Sequence, residues 1–469
     1  MTKILVAANL LVACGASLHL LLHYRRSTSA VAWLFAIWVL PFLGSLLYVS
    51  LAIHGEPRAV RRRRARAAAI RGSGRASVLA GADYPAGTVD ANLASLVDRA
   101  TPFPLTAGNA VDLLPGGGAA FDAMLAAIAG ARREILLATY ILDPGVVARR
   151  LFELLEERAA AGVEVRLLYD HFGSFRLPRK TVQRLAAASV CAAGFLRPNP
   201  FKRRLQINFR NHRKILVVDG REAFTGGLNW ADEHDERLAS PRTLRDLHLR
   251  VCGPVVAAFR RIFLEDFCIA TDEAMGSAES AAPSPEGTLP ARAIPHGPDE
   301  ETPGLYAVFH GAIQRARMDL LLVSPYFVPG GTMREALRIA ALSGVRVRLL
   351  LPRRSDNAMA DLAARHNFGP LLAAGAWIGL VDGDFLHAKA LVVDGSWSCL
   401  GSANFDQRSF HCNYEIGIEV PDRGFAGRVE ESFRAELARA VPLDARVFAR
   451  RSPWHRALQN AAALFEPLL

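Results

Sequence analysis

The sequence predicts an α/β protein: two tandem copies of one domain with mixed, largely parallel sheets, preceded by a two-helix transmembrane hairpin. Three observations carry this expectation. Two apolar runs open the 469-residue chain, and helical and strand-like periods alternate in each half. One motif also occurs twice. His212, Lys214, Asp219, Gly226-Gly227 and Asn229 return as His387, Lys389, Asp394, Gly401-Ser402 and Asn404, every member displaced by 175 positions.

The first apolar run, Ile4 to Leu22, carries no formal charge, and neither does Val31 to Ile53, which is long enough to cross a bilayer with some tilt. A short loop containing Arg25 and Arg26 separates them, so they read as a hairpin over residues 1–56 rather than a cleaved leader. Eight arginines follow within a short reach: Arg58, Arg61 to Arg64, Arg66, Arg71 and Arg75. The positive-inside rule then places the remaining chain in the cytoplasm, with this cluster against anionic head groups. The overall balance of 56 Lys+Arg against 45 Asp+Glu favours an anionic partner, lipid or nucleic acid. The six cysteines form no CxxC pair and suggest neither a metal site nor a disulfide framework.

Residues 57–108 read as a basic juxtamembrane linker. In the first domain, 109–274, a helix from Phe121 runs into a buried strand ending near Tyr140, and Gly162 to Asp170 gives another strand. The second domain, 304–441, repeats this order from Val308 through Tyr326 and from Gly344 to Pro352. Between them, 275–303 is rich in Ala, Ser, Pro, Gly and Glu and reads as a linker. The tail, 442–469, is an amphipathic helix with Trp454, Leu458 and Phe465 on one face, to be packed on the second domain or laid on a membrane.

Within each motif, the histidine and lysine are two residues apart and share a strand face. Asp219 and Asp394 have the opposite parity and precede Gly220 and Gly395, a hairpin-turn signal, so they are expected to be structural. Asn229 and Asn404 follow small residues that allow close backbone approach to a ligand. A nucleophilic imidazole needs a partner for its other nitrogen. Asp246 and Glu415, each opening an alternating strand 34 and 28 residues past its histidine, are the candidates. His171, His234, His248, His366 and His411 lack a repeated setting and receive no role.

These residues resemble the two HxKxxxxD motifs of the phospholipase D superfamily. The segments Arg210 to Gly220, Ser324 to Pro329, Gly401 to Ser409 and Asp246 to Pro254, with the paired membrane helices and the Arg451 to Leu469 tail, resemble the bacterial cardiolipin synthase family. That resemblance implies two phospholipase D-like domains sharing one active site, in a multi-pass enzyme of the bacterial inner membrane. It implies transfer of a phosphatidyl group between two phosphatidylglycerol molecules through a phosphatidyl-histidine, releasing glycerol. His212 would be the nucleophile and His387 the acid and base, with Lys214, Lys389, Asn229 and Asn404 stabilising charge and Ser402 assisting. The resemblance keeps Asp219 and Asp394 in the site. No metal or cofactor is expected, since the lysines supply positive charge. Leu137-Ala138-Thr139 stands where the family often has Glu. A hydrolytic phospholipase D and a superfamily nuclease are the alternatives; the apolar hairpin favours lipid over nucleic acid.

Overall fold

The computed structural model describes residues 2–23, 27–49, 83–87, 89–196, 209–238, 243–271, 283–298 and 304–468. The arginine cluster between Arg58 and Arg75, and Arg25 and Arg26, lie outside the described residues. Two compact units emerge: 1–57 with 198–209, and 58–197 with 210–469.

In the N-terminal unit, Thr2–His23 is a continuous helix, and its stretch Lys3–Leu22 is long and apolar enough to cross a membrane. The second apolar run departs from the expected single span. It breaks into Ser27–Val39 and Leu43–Leu47 around Pro41, with Phe42 at φ 56°. Proline lacks the N–H that would continue the helix and its ring clashes with the preceding turn. The segments are held together by polar contacts: Trp38 Nε1 donates to Ser17 Oγ (3.1 Å), Tyr48 Oη meets His19 Nδ1 (2.8 Å), and Phe42 N donates to Asn9 Oδ1 (2.8 Å).

The large unit is organised by one continuous sheet rather than two separate ones. From one edge its strands are Val441–Pro442, Trp377–Val381, Arg346–Pro352, Asp319–Val323, Ala390–Val393, Trp397–Gly401, Asn413–Val420 and Leu289–His296. It continues through Thr106–Pro115, Leu247–Cys252, Glu222–Gly226, Ile215–Val218, Glu134–Thr139, Glu164–Asp170 and Cys191–Phe195. The order of the first half thus repeats in the second, and the halves join where Thr106 pairs with Ala291, antiparallel.

Along this sheet, parallel pairing is confined to three strands of each half, Glu134–Thr139, Glu164–Asp170 and Cys191–Phe195 in the first and Asp319–Val323, Arg346–Pro352 and Trp377–Val381 in the second, where helices make the crossovers. The centre is antiparallel, so the expectation of largely parallel sheets is corrected. Leu289–His296 also corrects the linker reading: although poor in large apolar residues, this strand is buried at the junction of the halves. Likewise Ala91–Ala100, in the stretch read as a juxtamembrane linker, is an amphipathic helix capped by Asp90 and packed through Leu93 and Val97 against Leu305 and Val308. Val256–Thr271 lies under the joined sheet, in a core that also holds Ile416, Phe425 and Val429 from the second half.

Both Asp-Gly pairs form tight turns with positive φ at both positions, 53° and 65° at Asp219-Gly220 and 52° and 57° at Asp394-Gly395. The C-terminal helix Pro453–Ala463 packs on Ala358–Ala373, with Ala462 buried and Asn460 Oδ1 against His366 Nδ1 at 2.8 Å. Its outer face leaves Trp454 and Leu458 exposed.

Candidate active site

Each HxK segment lies at a break between a two-residue strand laid on the opposite half and a strand of its own half. Arg210–Asn211 pairs in parallel with Asn413 and Tyr414, and Phe385–Leu386 pairs in parallel with Leu244 and Arg245. The register continues for one more bond: His212 N donates to Tyr414 O (2.9 Å) and His387 N to Arg245 O (2.7 Å). The next residue on each partner strand is a carboxylate. His212 Nδ1 therefore meets Glu415 Oε2 at 2.9 Å, and His387 Nδ1 meets Asp246 Oδ2 at 2.6 Å. Asp246 and Glu415 do face the histidines, but the pairing is exchanged. Each carboxylate orients the imidazole of the other copy, because the short parallel strands cross between halves. Arg213, fully buried, ties the crossing down by bonding Glu415 O (2.9 Å), His296 O (3.0 Å) and Asp266 Oδ1 (2.6 Å).

Both lysines are buried beside their histidines. Lys214 Nζ donates to His212 O at 2.9 Å, and Lys389 Nζ lies 2.9 Å from His387 Nδ1. Burial pushes Lys214 down to about 7 and Lys389 to about 8, partly opposed by Glu415 and Asp246. Burial and Lys389 lower His387 to about 4, and burial also lowers His212 despite Glu415. Burial works against the carboxylate charges, yet Lys389 and His387 hold Asp246 low and His212 holds Glu415 low. The protein alone thus presents neutral imidazoles oriented by ionised carboxylates. The Tyr140 ring stands edge-on to His212, 4.8 Å between centroids, and Lys214 Nζ is 5.5 Å from its centre.

Asn229 and Asn404 occupy different settings. Asn229 Oδ1 accepts from Ile141 N (3.2 Å) while its Nδ2 donates to His234 Nε2 (3.2 Å). Asn404 N donates to Ser409 Oγ (3.1 Å), and its Oδ1 is buried without a hydrogen-bond partner among the described residues. Asp219 and Asp394 are not in the pocket. Each accepts main-chain N–H bonds at the entry to a central strand: Asp219 from Arg132, Arg133 and Glu134, Asp394 from Arg317, Met318 and Asp319. A four-residue strand separates each from its lysine, on the order of 15 Å. The site membership that the resemblance gave these aspartates is corrected to a turn-and-strand brace.

His234, assigned no role from sequence, belongs to the cluster. Its ring stands edge-on to His387 at 5.3 Å, and its Nδ1 lies 4.0 Å from Asp246 Oδ2. The signal that could have found it is its offset. His234 follows Asn229 by five residues, as Ser409 follows Asn404, and Ser409 Oγ donates to Glu415 Oε1 at 2.9 Å. The halves are matched by reach: a longer carboxylate with a short hydroxyl, a shorter carboxylate with a long imidazole. Ser402 donates to Glu415, whereas a Cβ on Gly227 would lie 2.3 Å from Asp246 Oδ1, so no side chain fits there. Among the described residues, His234, Asp246 and His387 bring possible metal-ligand atoms within 4.8 Å of one another. Lys389 places a cation beside that group, which opposes a second one.

Two fused repeats, each with a His-x-Lys segment whose imidazole meets a carboxylate of the other repeat, define an enzyme of the phospholipase D type. A family model described as "Cardiolipin synthase, PLD-like domain" matches residues 124–236 and 310–437, and one described as "Phospholipase_D-nuclease N-terminal" matches 11–51. Cardiolipin synthase A of Pseudomonas aeruginosa is 36% identical over 437 residues, covering 91% of this chain and 88% of its own. Cardiolipin synthase of Geobacillus thermodenitrificans is 32% identical over 476 residues, covering 100% of this chain and 95% of its own. The chain belongs to the bacterial cardiolipin synthases of the phospholipase D superfamily and is a phosphatidyltransferase. The crystal structure of phosphatidylserine synthase from Haemophilus influenzae has the same fold, with TM-score 0.62, 12% identity, and coverage of 81% of this chain and 100% of that one.

Proposed function

We propose that this chain makes cardiolipin from two phosphatidylglycerol molecules in one pocket shared by both repeats. The exchange of Glu415 and Asp246 between His212 and His387 is the observation that supports this reading, since each imidazole is oriented by the repeat that carries the other. In the first step His212 Nε2 attacks phosphorus, the bond to the glycerol oxygen breaks, and His387 gives that oxygen a proton. The phosphodiester's negative charge, lying between Lys214 and Lys389, favours the imidazolium of His387 that this step needs. In the second step His387 takes the proton from a primary hydroxyl of another phosphatidylglycerol. That oxygen bonds to phosphorus and His212 leaves. Asn229, Asn404 and the lysines stabilise the non-bridging oxygens. The paired N-terminal helices would cross the inner membrane as a hairpin, with the catalytic unit on the cytoplasmic side and the Arg58–Arg75 cluster on anionic head groups.

The test is incubation of the purified chain with phosphatidylglycerol alone. Cardiolipin and free glycerol in equal amounts are expected, and His212→Ala and His387→Ala each abolish turnover. Phosphatidic acid as the main product would assign hydrolysis instead, and near-full activity of either variant would end the shared-site reading.

A further inference from the structure

The loop that follows the strand Glu164–Asp170 is built into the HxK segment yet presents aromatic rings outward. Asp170 accepts from Phe172 N (3.0 Å) and Gly173 N (2.9 Å) with one oxygen and from Asn211 N (2.9 Å) with the other. Asn211 immediately precedes His212. Ser174 Oγ donates to Tyr140 O (3.0 Å), and the Tyr140 ring packs on His212. The Arg210 guanidinium stacks on Phe172 at 4.2 Å. Three of these anchors therefore reach the nucleophile candidate directly: Asn211 and Arg210 lie within two residues of His212, and the Tyr140 ring packs on it.

Despite those anchors, Phe172 is 55% exposed and Phe175 77% exposed. Arg179 and Lys180, which follow directly at the start of the helix Arg179–Ala187, are exposed as well. A ring of this size left in water next to unburied cations is the amphipathic pattern of an interfacial anchor, with aromatic groups for the acyl boundary and cations for anionic head groups. The equivalent loop of the second half follows Arg346–Pro352. It is tied to its own half-site by Tyr326 Oη donating to Asp356 Oδ1 (2.6 Å), and leaves Arg354 and Met359 exposed. Both repeats thus place an exposed apolar side chain and an exposed cation after equivalent strands, in the second half Arg354 in the loop and Met359 in the first turn of the helix Ala358–Ala373.

We propose that the 171–177 loop with Arg179 and Lys180 is an interfacial clamp that seats the site's entrance on an anionic bilayer. It lets the phosphodiester reach His212 while the acyl chains stay in lipid. The inference rests on the reading of the substrate as a membrane phospholipid, and it adds a second contact to whatever the N-terminal helices provide.

The test uses the full chain reconstituted in vesicles and the variants Phe175→Ser and Arg179→Ser/Lys180→Ser, none of which touches the pocket. With long-chain phosphatidylglycerol in the bilayer, Phe175→Ser lowers the rate about tenfold, the order expected for withdrawing one large apolar side chain from lipid. With a monomeric, water-soluble short-chain phosphatidylglycerol and phosphatidylcholine vesicles, the same variant keeps the parent rate. The charge variant follows the same split, and its loss on bilayer substrate shrinks as salt rises. An equal fall on both substrates, or none on either, overturns the clamp. A turnover-independent arm uses Phe175→Trp, whose added fluorescence is quenched by brominated acyl chains beyond the background of the six native tryptophans. An unquenched increment overturns the proposal even in a fully active enzyme. A parent that makes no cardiolipin while the increment is quenched refutes the substrate reading instead.

Discussion

Extending Asp246 by one methylene, Asp246→Glu, tests the reach matching between the two halves. Asp246 Oδ2 is already 2.6 Å from His387 Nδ1, and its other oxygen would meet a Cβ on Gly227 at 2.3 Å, so neither direction has slack. A methylene adds about 1.5 Å, which spends the 4.0 Å separation from His234 Nδ1 and brings the carboxylate to about 2.5 Å from that ring. Overpacking of this kind costs about 1–3 kcal/mol. If borne by the His387 orientation, that lowers kcat roughly 5- to 150-fold. His234→Ser on top of it recreates the Glu–Ser pairing of Glu415 and Ser409, and the double variant is expected to return to within about fivefold of the parent. The assay is cardiolipin formation in proteoliposomes, with kcat and KM separated and thermal melts run alongside. An Asp246→Glu enzyme with parental kcat, or a double variant no better than the product of the single losses, would refute the reasoning.

Three further outcomes follow from the same geometry. Double-mutant cycles on stability give a coupling of about 1.5–3 kcal/mol for His212 with Glu415 and for His387 with Asp246, against additivity within about 0.5 kcal/mol for His212 with Asp246. Coupling within a copy rather than across copies would contradict the exchange. Unfolded lysines hold their protons to 10.5, whereas Lys214 and Lys389 release theirs near 7 and 8, so the unfolded chain binds more protons in that interval. Stability therefore rises with pH from about 7 to about 10.5, while turnover, which needs the ammonium charges, falls across the lower part of the same window. Lys214→Met and Lys389→Met together flatten the stability slope in denaturant titrations at several pH values. Asp394→Ala leaves Arg317, Met318 and Asp319 N–H groups without their acceptor and costs about 1.5–3 kcal/mol, seen as a lower melting temperature with unchanged KM.

The sites that were legible in the sequence are those the repeat marks twice. His212 and His387, and Lys214 and Lys389, stand in register in both copies, the carboxylates Asp246 and Glu415 each open an alternating strand downstream of them at spacings that differ by six, and the Asp-Gly turns announce themselves by composition. His234 was hidden because its counterpart is a serine: the position repeats while the residue type does not. The strand Leu289–His296 was hidden because Pro290, Ala291, Ala293 and Pro295 give no apolar alternation, and its burial comes from the two halves closing on it.

By itself, the sequence determined the two repeats, the chemistry of each half-site and the apolar N-terminus, since these depend on residue types at fixed local spacing. Only the tertiary structure decided which carboxylate serves which histidine. That choice is made by two-residue parallel strands whose partners lie about 140 and 200 residues away in sequence, where backbone hydrogen bonds set the register and linear spacing carries no information about it. The same holds for the continuous sheet: its central pair joins a strand from each repeat, and neither strand's own period reveals the other.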